Sequence, residues 1–350
     1  MSVAWRTVFD LARKHEEIEA LETETVRPNF WDNRERAMVA MARLNELKEE
    51  YGVWKKLQDD TESLTELVSK ETDPATFAEI EGQLVELENI FTREKKKAFL
   101  SGAYDRESAV ISIYAGAGGD DAEDWAAILL NMYKRAAERM GFSAKLLHHH
   151  TNETGGTKNV TFEVDGKYAY GYLKGESGAH RLVRISPFSA KKLRHTSFAL
   201  VEVLPERVSA DEVEIRPDDI DISFIRSSGP GGQNVNKRET AVRIMHKPTN
   251  IQVHVDSERS QAQNREKALE LLRSKLYDRM RAAETAEGKA FKIEGGAGTA
   301  EWGHQIRSYV FHPYQMVKDH RTNVETSDVD GVLAGKLDEF IDAEIELQTK

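Results

Sequence analysis

The sequence predicts an α+β multidomain protein: an N-terminal three-helix bundle, then two α+β units, then a tail of mixed structure. Three observations predict it. Apolar residues recur at three- and four-residue steps through the first hundred residues, the period of one helix face. Beyond residue 100 short alternating segments and glycine-rich turns take over, as in half-buried strands. A second set of alternating segments and one long helix flank a Gly-Pro-Gly-Gly stretch, making a further α+β unit.

The first helix covers Phe9 to Leu21. The second carries Met41, Leu44, Leu47, Tyr51, Trp54, Leu57, Leu64 and Leu67 on its stripe. In the third, Phe77, Ile80, Leu84, Leu87 and Phe91 follow a 3-4-3-4 pattern, and Asp73-Pro74 supplies an N-cap and a proline at the first helical position. Three antiparallel helices, each burying one stripe, make a bundle over residues 1–98.

Residues 99–209 form the first α+β unit. Ala109 to Tyr114 reads as a strand that runs into Gly116-Ala-Gly-Gly119 and an acidic helix start at Asp120-Asp121. Trp125, Leu129, Met132 and Ala136 mark that helix's apolar face. Val160 to Val164 and Tyr168 to Tyr172 alternate around Asp165-Gly166, a hairpin signal. His148-His-His150 reads as loop, and Thr196 to Leu204 as another strand. In residues 210–296, Ile220, Ile222 and Phe224 alternate into the glycine-rich loop. Val242 to His246 pairs with Ile251 to Val255 around Pro248-Thr-Asn250. A helix from Gln263 to Ala286 turns Ala268, Leu271, Leu272, Leu276 and Met280 to its apolar side. Glu294-Gly-Gly-Ala-Gly-Thr299 has linker composition, and residues 297–350 end in an acidic helix, Gly335 to Leu347.

The 350 residues contain no cysteine, which excludes disulfides, thiolate catalysis and Cys-ligated zinc. No run approaches the ~18 apolar residues of a membrane span, and the N-terminus has no apolar signal core. A cytoplasmic location without a membrane partner is expected. The net charge of −11 is unevenly spread. Residues 1–100 hold 15 basic and 22 acidic side chains and residues 301–350 hold 5 and 10, whereas residues 222–292 hold 14 and 8. Residues 181–194 contain five cations and no acid. Local cationic segments let an acidic protein dock phosphates.

Within Arg226-Ser-Ser-Gly-Pro-Gly-Gly-Gln-Asn-Val-Asn-Lys-Arg238, the adjacent Gly231 and Gly232 lack Cβ atoms, so their backbone can lie against a ligand. Gln233 then places an amide and a backbone N–H at the loop tip. Arg226, Lys237 and Arg238 direct that tip to something anionic. Gln233 does not titrate near neutral pH and cannot act as a general base. It can position a water and stabilise developing charge.

Ser227 to Arg238, with Glu258-Arg-Ser-Gln-Ala-Gln-Asn-Arg265, resembles the peptidyl-tRNA hydrolysis domain of class I peptide chain release factors. Gly171-Tyr-Leu-Lys-Gly-Glu-Ser-Gly-Ala-His-Arg-Leu-Val-Arg-Ile-Ser-Pro-Phe188 resembles the family's codon-reading domain, and Trp302-Gly-His-Gln-Ile-Arg-Ser-Tyr-Val310 its switch segment. The likeness extends over nearly the full chain. It implies an α+β codon-reading domain completed by the C-terminal segment and a separate α+β domain bearing the Gly-Gly-Gln loop. It also implies hydrolysis of the peptidyl-tRNA ester by Gly231, Gly232 and Gln233 inside the ribosomal peptidyl transferase centre, so the protein is not a stand-alone enzyme and needs no cofactor. The partners implied are the ribosome, the mRNA stop codon, peptidyl-tRNA, a glutamine methyltransferase giving N5-methylglutamine at Gln233, and a GTPase recycling factor. Off the ribosome the expectation is a monomer.

The resemblance assigns codon recognition to Ser186, Pro187, Phe188, His195, Thr196 and Asp121. The Ser-Pro-Phe tripeptide belongs to the branch that reads UAA and UGA. Arg181, Arg184 and Arg194, together with Lys191 and Lys192, are read as sequence-neutral phosphate contacts, as are Arg226, Lys237 and Arg238. Trp302 is the switch residue. The family usually has Glu where Asp121 stands, and Ser189-Ala-Lys-Lys-Leu193 replaces a stretch that commonly begins Asp-Ser. Two alternatives remain: a codon-independent ribosome-rescue paralogue, and a hydrolysis-inactive ribosome-binding adaptor. No metal is expected, because consecutive histidines point in different directions and His195 has no neighbouring ligands at useful spacing.

Overall fold

The structure, a computed structural model, describes residues 11–70, 74–100, 102–152, 155–209, 212–225, 240–258, 260–284 and 305–348. It divides into two compact units, residues 1–99 and 100–350.

In the first unit, α1 (Leu11–Thr25), α2 (Arg34–Lys70) and α3 (Pro74–Phe99) form the expected helices. Their stripes meet in two clusters. Ile18 packs with Leu44 and Leu47. Trp54 and Leu57 pack with Leu11 and with Leu87, Ile90 and Phe91. Ion pairs Lys14–Glu50, Arg43–Glu17 and Arg36–Glu24 step in opposite directions along α1 and α2, so the two helices are antiparallel. Leu67, Phe77 and Leu84 were expected on buried stripes but are exposed. The reason is length: α1 ends at Thr25 and covers only the first half of α2. The far halves of α2 and α3 have too little neighbouring surface to bury both stripes. Asp73 lies outside the described residues.

The second unit is built on an eight-stranded sheet, order β11-β10-β9-β4-β5-β1-β3-β2. Its strands are β1 (Ala109–Ala115), β2 (Ser143–Thr151), β3 (Thr157–Asp165), β4 (Gly178–Ile185), β5 (Arg194–Pro205), β9 (Gln305–Val310), β10 (Met316–Asp319) and β11 (Glu325–Thr326). Neighbours are antiparallel except β4 and β9, which are parallel. The chain's last strands thus complete the sheet begun by its middle ones. Helix α4 (Asp120–Arg139) buries Trp125, Leu129, Met132, Tyr133 and Ala136 and packs across β1, β3 and β5. Short α7 (Val329–Leu333) and α8 (Asp338–Gln348) close the chain.

Two local expectations are corrected. Residues 168–172 form no strand; Ala169–Leu173 is a short helix, α5, entered through Tyr168 at φ 73°. Both edges of β3 are already taken by β1 and β2. The Tyr168, Tyr170 and Gly171 N–H groups instead bond the carbonyls of Arg106, Glu107 and Asp105. The His148–His150 segment is not loop but part of β2, paired with β3 through a bulge between Leu146 and His148.

A three-stranded antiparallel sheet, β6 (Ile220–Ile225), β7 (Ala241–His246) and β8 (Ile251–Val255), carries α6 (Gln261–Glu284). Val242, Ile244, Val253, Val255, Ala268, Leu271, Leu272 and Leu276 are its core, continuous with Val110, Leu147, Leu204 and Val208 of the larger sheet's side. Met280 is exposed rather than on that apolar face, since the core ends with Leu276. Polar ties reinforce the junction: Lys267 Nζ bonds Glu163 at 2.8 Å, Lys145 bonds Glu258, and Lys275 bonds Glu202 and the Tyr114 hydroxyl. The Glu202 carboxylate holds the buried Lys275 ammonium well above the usual lysine range, although burial acts to lower it.

Candidate nucleic-acid interface

The described site gathers where the N-terminus of α4 meets the β4–β5 hairpin. Gly118 and Gly119 turn the chain from β1 into α4 with φ of +137° and +58°, conformations that disfavour a side chain. A Cβ on Gly118 would lie 3.0 Å from both Cβ and Oγ of Ser197, so the turn sits directly on β5. Gly116 N–H donates to Phe198 O at 2.8 Å and Phe198 N–H donates to Ala117 O at 2.9 Å. Further along α4, Trp125 Nε1 donates to His180 O at 3.0 Å. The helix is thus pinned to both strands of the hairpin.

Cross-strand register places Arg184 opposite His195, which puts both side chains on one face. Both reach α4. Arg184 Nη2 donates to Asp121 Oδ1 at 3.2 Å and Asp124 Oδ2 at 2.6 Å. His195 Nδ1 lies 2.8 Å from Asp121 Oδ2. Ser186 also bonds the Asp121 carboxylate, and its Oγ accepts from Phe188 N–H at 3.1 Å. Burial would raise the Asp121 carboxyl, but the bonds from Ser186, His195 and Arg184 outweigh it and hold it below the usual carboxylate range. Asp121 is 4% and Ser186 2% exposed, against 55% for Phe188. The loop therefore hides its hydrogen-bonding groups and presents its aromatic ring.

Ile185 and Leu193 are exposed too, as are Pro187, Lys191, Lys192, Arg194 and His195 along the same hairpin. Ser186 N–H bonds Leu193 O at 3.0 Å and Lys192 N–H bonds Ser189 O at 2.9 Å, closing the loop base. An exposed aromatic among cations suits stacking on an unpaired base with phosphates alongside. Thr196 is half-buried beside His195, and Arg181 likewise one turn of the pleat below. Arg184 is committed to two carboxylates, which makes it an organiser of the site.

Below the hairpin a buried polar network fixes β4. Arg307 bonds both oxygens of Glu176 and also Asp319 Oδ2. Tyr133 hydroxyl donates to Glu176 Oε2 at 3.0 Å. His180 Nε2 lies 3.1 Å from Glu176 O, which can only accept, so Nε2 carries the proton and Nδ1 accepts from Tyr309 hydroxyl at 3.2 Å. Burial pushes the His180 imidazole down to about 4, with Arg307 adding to the fall against the pull of Glu176.

Of the residues expected at the site, the structure joins Asp121, Arg184, Ser186 and His195, with Phe188 tied to Ser186. Pro187 is exposed on the same loop, and Arg194 and Thr196 lie on the other face of β5 from His195. Gly231, Gly232, Gln233, Arg226, Lys237, Arg238 and Trp302 lie outside the described residues. The sequence reading missed Asp124 as partner of Arg184, and the Glu176–Arg307–Asp319 support. Acid enrichment in the first turn of α4 was the available signal for Asp124. Glu176 and Arg307 are 131 residues apart, with no local signal to join them. Among the described residues, His148, His254 and Asp256 have metal-ligating spacing; they lie on or just beyond β2 and β8, not on this hairpin.

Comparison with known proteins identifies two family domains along the chain. Residues 14–201 match the PCRF domain family and residues 208–321 the RF-1 domain family. Peptide chain release factor 2 of Thermomicrobium roseum is 45% identical over 97% of this chain and 90% of its own length. That of Chloroflexus aggregans is 46% identical over 96% and 92%. The solved structure of RF2 of Thermus thermophilus superposes with a TM-score of 0.69 at 37% identity, covering 97% of this chain and 96% of that one. Fold and hairpin define a translation termination factor. The chain belongs to the peptide chain release factor family, in the branch of peptide chain release factor 2. Among the described residues, no helix is long and apolar enough to cross a membrane.

Proposed function

We propose that the protein reads the stop codons UAA and UGA in the ribosomal A site and promotes peptidyl-tRNA ester hydrolysis through Gly231-Gly232-Gln233. The observation that carries the first half is the Asp121–Ser186–His195–Arg184 cluster beneath the exposed Phe188. A serine hydroxyl can donate or accept, so Ser186 can face adenine or guanine, whose edges present opposite polarity. In the free protein both capacities are engaged, with Asp121 and with the Phe188 N–H, so a docking purine exchanges partners with them. His195 and Phe188 stack on or wall the codon, Thr196 bonds near the third base, and Arg181, Arg194, Lys191 and Lys192 hold phosphates.

Residues 99–209 and 297–350 form the reading domain, and residues 210–296 the hydrolysis domain. The backbone N–H of Gln233 stabilises the developing charge while its amide orients the water. Arg226, Lys237 and Arg238 seat the loop in RNA, and the Trp302 segment couples reading to delivery. Ribosomal RNA supplies the rest of the active site. A glutamine methyltransferase and a GTPase recycling factor complete the partner set.

The test is peptide release from ribosomes programmed with UAA, UAG, UGA or a sense codon. Release on UAA and UGA alone is expected. Efficient release on UAG would overturn the codon assignment, and release on the sense codon would favour the rescue reading.

A further inference from the structure

Strand β2 carries His148 on the side facing the small sheet. The bulge between Leu146 and His148 lets Leu147 enter the shared core while the Asp256 N–H, just past β8, donates to Leu147 O at 3.2 Å. That bond holds the end of β8 against the bulge. It brings His254 and Asp256, two residues apart and therefore on one side of an extended chain, up to His148. His148 Nδ1 is 3.6 Å from Asp256 Oδ1, and His254 Nε2 is 3.8 Å from Asp256 Oδ2. The two imidazoles stand 4.2 Å apart at 65°. One donor atom from each residue lies within 4.8 Å of the others. His148 Nδ1 is buried and has no hydrogen-bond partner.

A zinc ion bonded at ~2.0–2.1 Å in tetrahedral geometry spaces its ligands roughly 3.3 Å apart. The donor atoms, within 4.8 Å of one another, would draw together by up to about 1.5 Å to reach that spacing. Two neutral imidazoles and one carboxylate suit zinc rather than magnesium or calcium, which prefer all-oxygen sites. His148 Nδ1 and His254 Nε2 face the Asp256 carboxylate at 3.6 and 3.8 Å, beyond hydrogen-bond length, a spacing that a shared metal would close. We infer that His148, His254 and Asp256 form a three-ligand site for zinc, with water in the fourth position, that ties β2 of the large sheet to the end of β8 in the small one. This proposal departs from the expectation of no metal, because two of its ligands, on and just past β8, lie more than a hundred residues downstream of His148.

The chain has no cysteine to compete for the metal, which keeps the test simple. The full-length protein, freed of any affinity tag and stripped with chelator, is titrated with zinc chloride against a chromophoric indicator. One equivalent should bind. His148→Ala and His254→Ala should each weaken it by at least about tenfold, the lower edge of what even an outer-shell loss costs at such sites. His149→Ala is the control, since its Nε2 is occupied by Thr157 Oγ1 at 2.9 Å. Hydrogen exchange supplies the bridging readout: zinc should slow exchange of the Asp256 N–H in the parent protein. Absence of saturable binding, binding that survives His148→Ala, or unchanged exchange at Asp256 would each overturn the proposal. Circular dichroism of each variant without metal separates loss of the site from loss of fold.

Discussion

Arg307 grips Glu176 with two parallel hydrogen bonds, Nη1 to Oε2 and Nη2 to Oε1, each 2.7 Å long. Both side chains are buried, and they join β9 to the turn just before β4. Two-point guanidinium–carboxylate pairs are the stronger kind. Their greater importance lies in what is left when one partner goes. Arg307→Met would strand Glu176 as a buried carboxylate without its cation, while Asp319 keeps Arg321 at 2.9 Å. A loss of about 3–5 kcal/mol is expected, read as a lowered midpoint in urea unfolding. A change within error would mean that the network bears no structural load.

The same network predicts a pH dependence. His180 is folded neutral, its pKa lowered to about 4 from 6.5. Below 6.5 the unfolded chain takes up a proton that the folded chain refuses, so stability falls as pH drops and levels off near 4. The shift corresponds to about 3 kcal/mol over that window. Glu176 and Asp319 have lowered carboxyls and remove stability only further into acid. Urea midpoints between pH 7 and 4.5 should fall in the parent and flatten in His180→Gln. An equal slope in both would assign the loss elsewhere.

Ser186→Ala leaves the Phe188 N–H and one Asp121 position without their partner. Loss of a hydrogen bond to a charged group is worth about 1.5 kcal/mol, so kcat/KM for release should fall about tenfold on UAA and on UGA together. A fall on one codon alone would contradict a hydroxyl that serves both purines.

For the loop proposed to promote hydrolysis, Gln233→Pro removes the backbone donor and Gln233→Ala only the side-chain amide. Loss of one preorganised donor costs about 3–4 kcal/mol, a hundred- to thousandfold in rate. Single-turnover release should therefore vanish with proline and persist, reduced, with alanine. Equal losses would shift the catalytic role to the side chain.

The elements that the sequence made legible are those with long, unambiguous periodicity. Helices α1 to α3, α4 and α6 and strands β1, β5, β6, β7 and β8 lie where alternation or a helical stripe puts them. Misreadings arose where a local pattern lost to a distant partner. The residues after Asp165-Gly166 alternate like a strand, but β1 and β2 had already claimed both edges of β3. His148–His150 looked polar enough for a loop, yet β3 supplies its pairing. Leu67, Phe77 and Leu84 keep perfect helical spacing and are exposed, because spacing does not say where a third helix stops. At the candidate site the resemblance named Asp121, Ser186 and His195. It did not reveal that they bond one another, nor that Arg184 faces inward. Those facts depend on the register of β4 with β5 and on Gly118 seating α4 against Ser197, both set by tertiary packing.

Strand β9 lies parallel to β4 and reaches it only after the chain has passed through the whole small sheet and α6. During synthesis β4 therefore waits with an open edge until Val310 has left the exit tunnel, and Arg307 reaches Glu176 no sooner. Incomplete copies lack the support beneath the hairpin. A fragment released early from its own message would carry the Ser-Pro-Phe tripeptide without the platform that holds it.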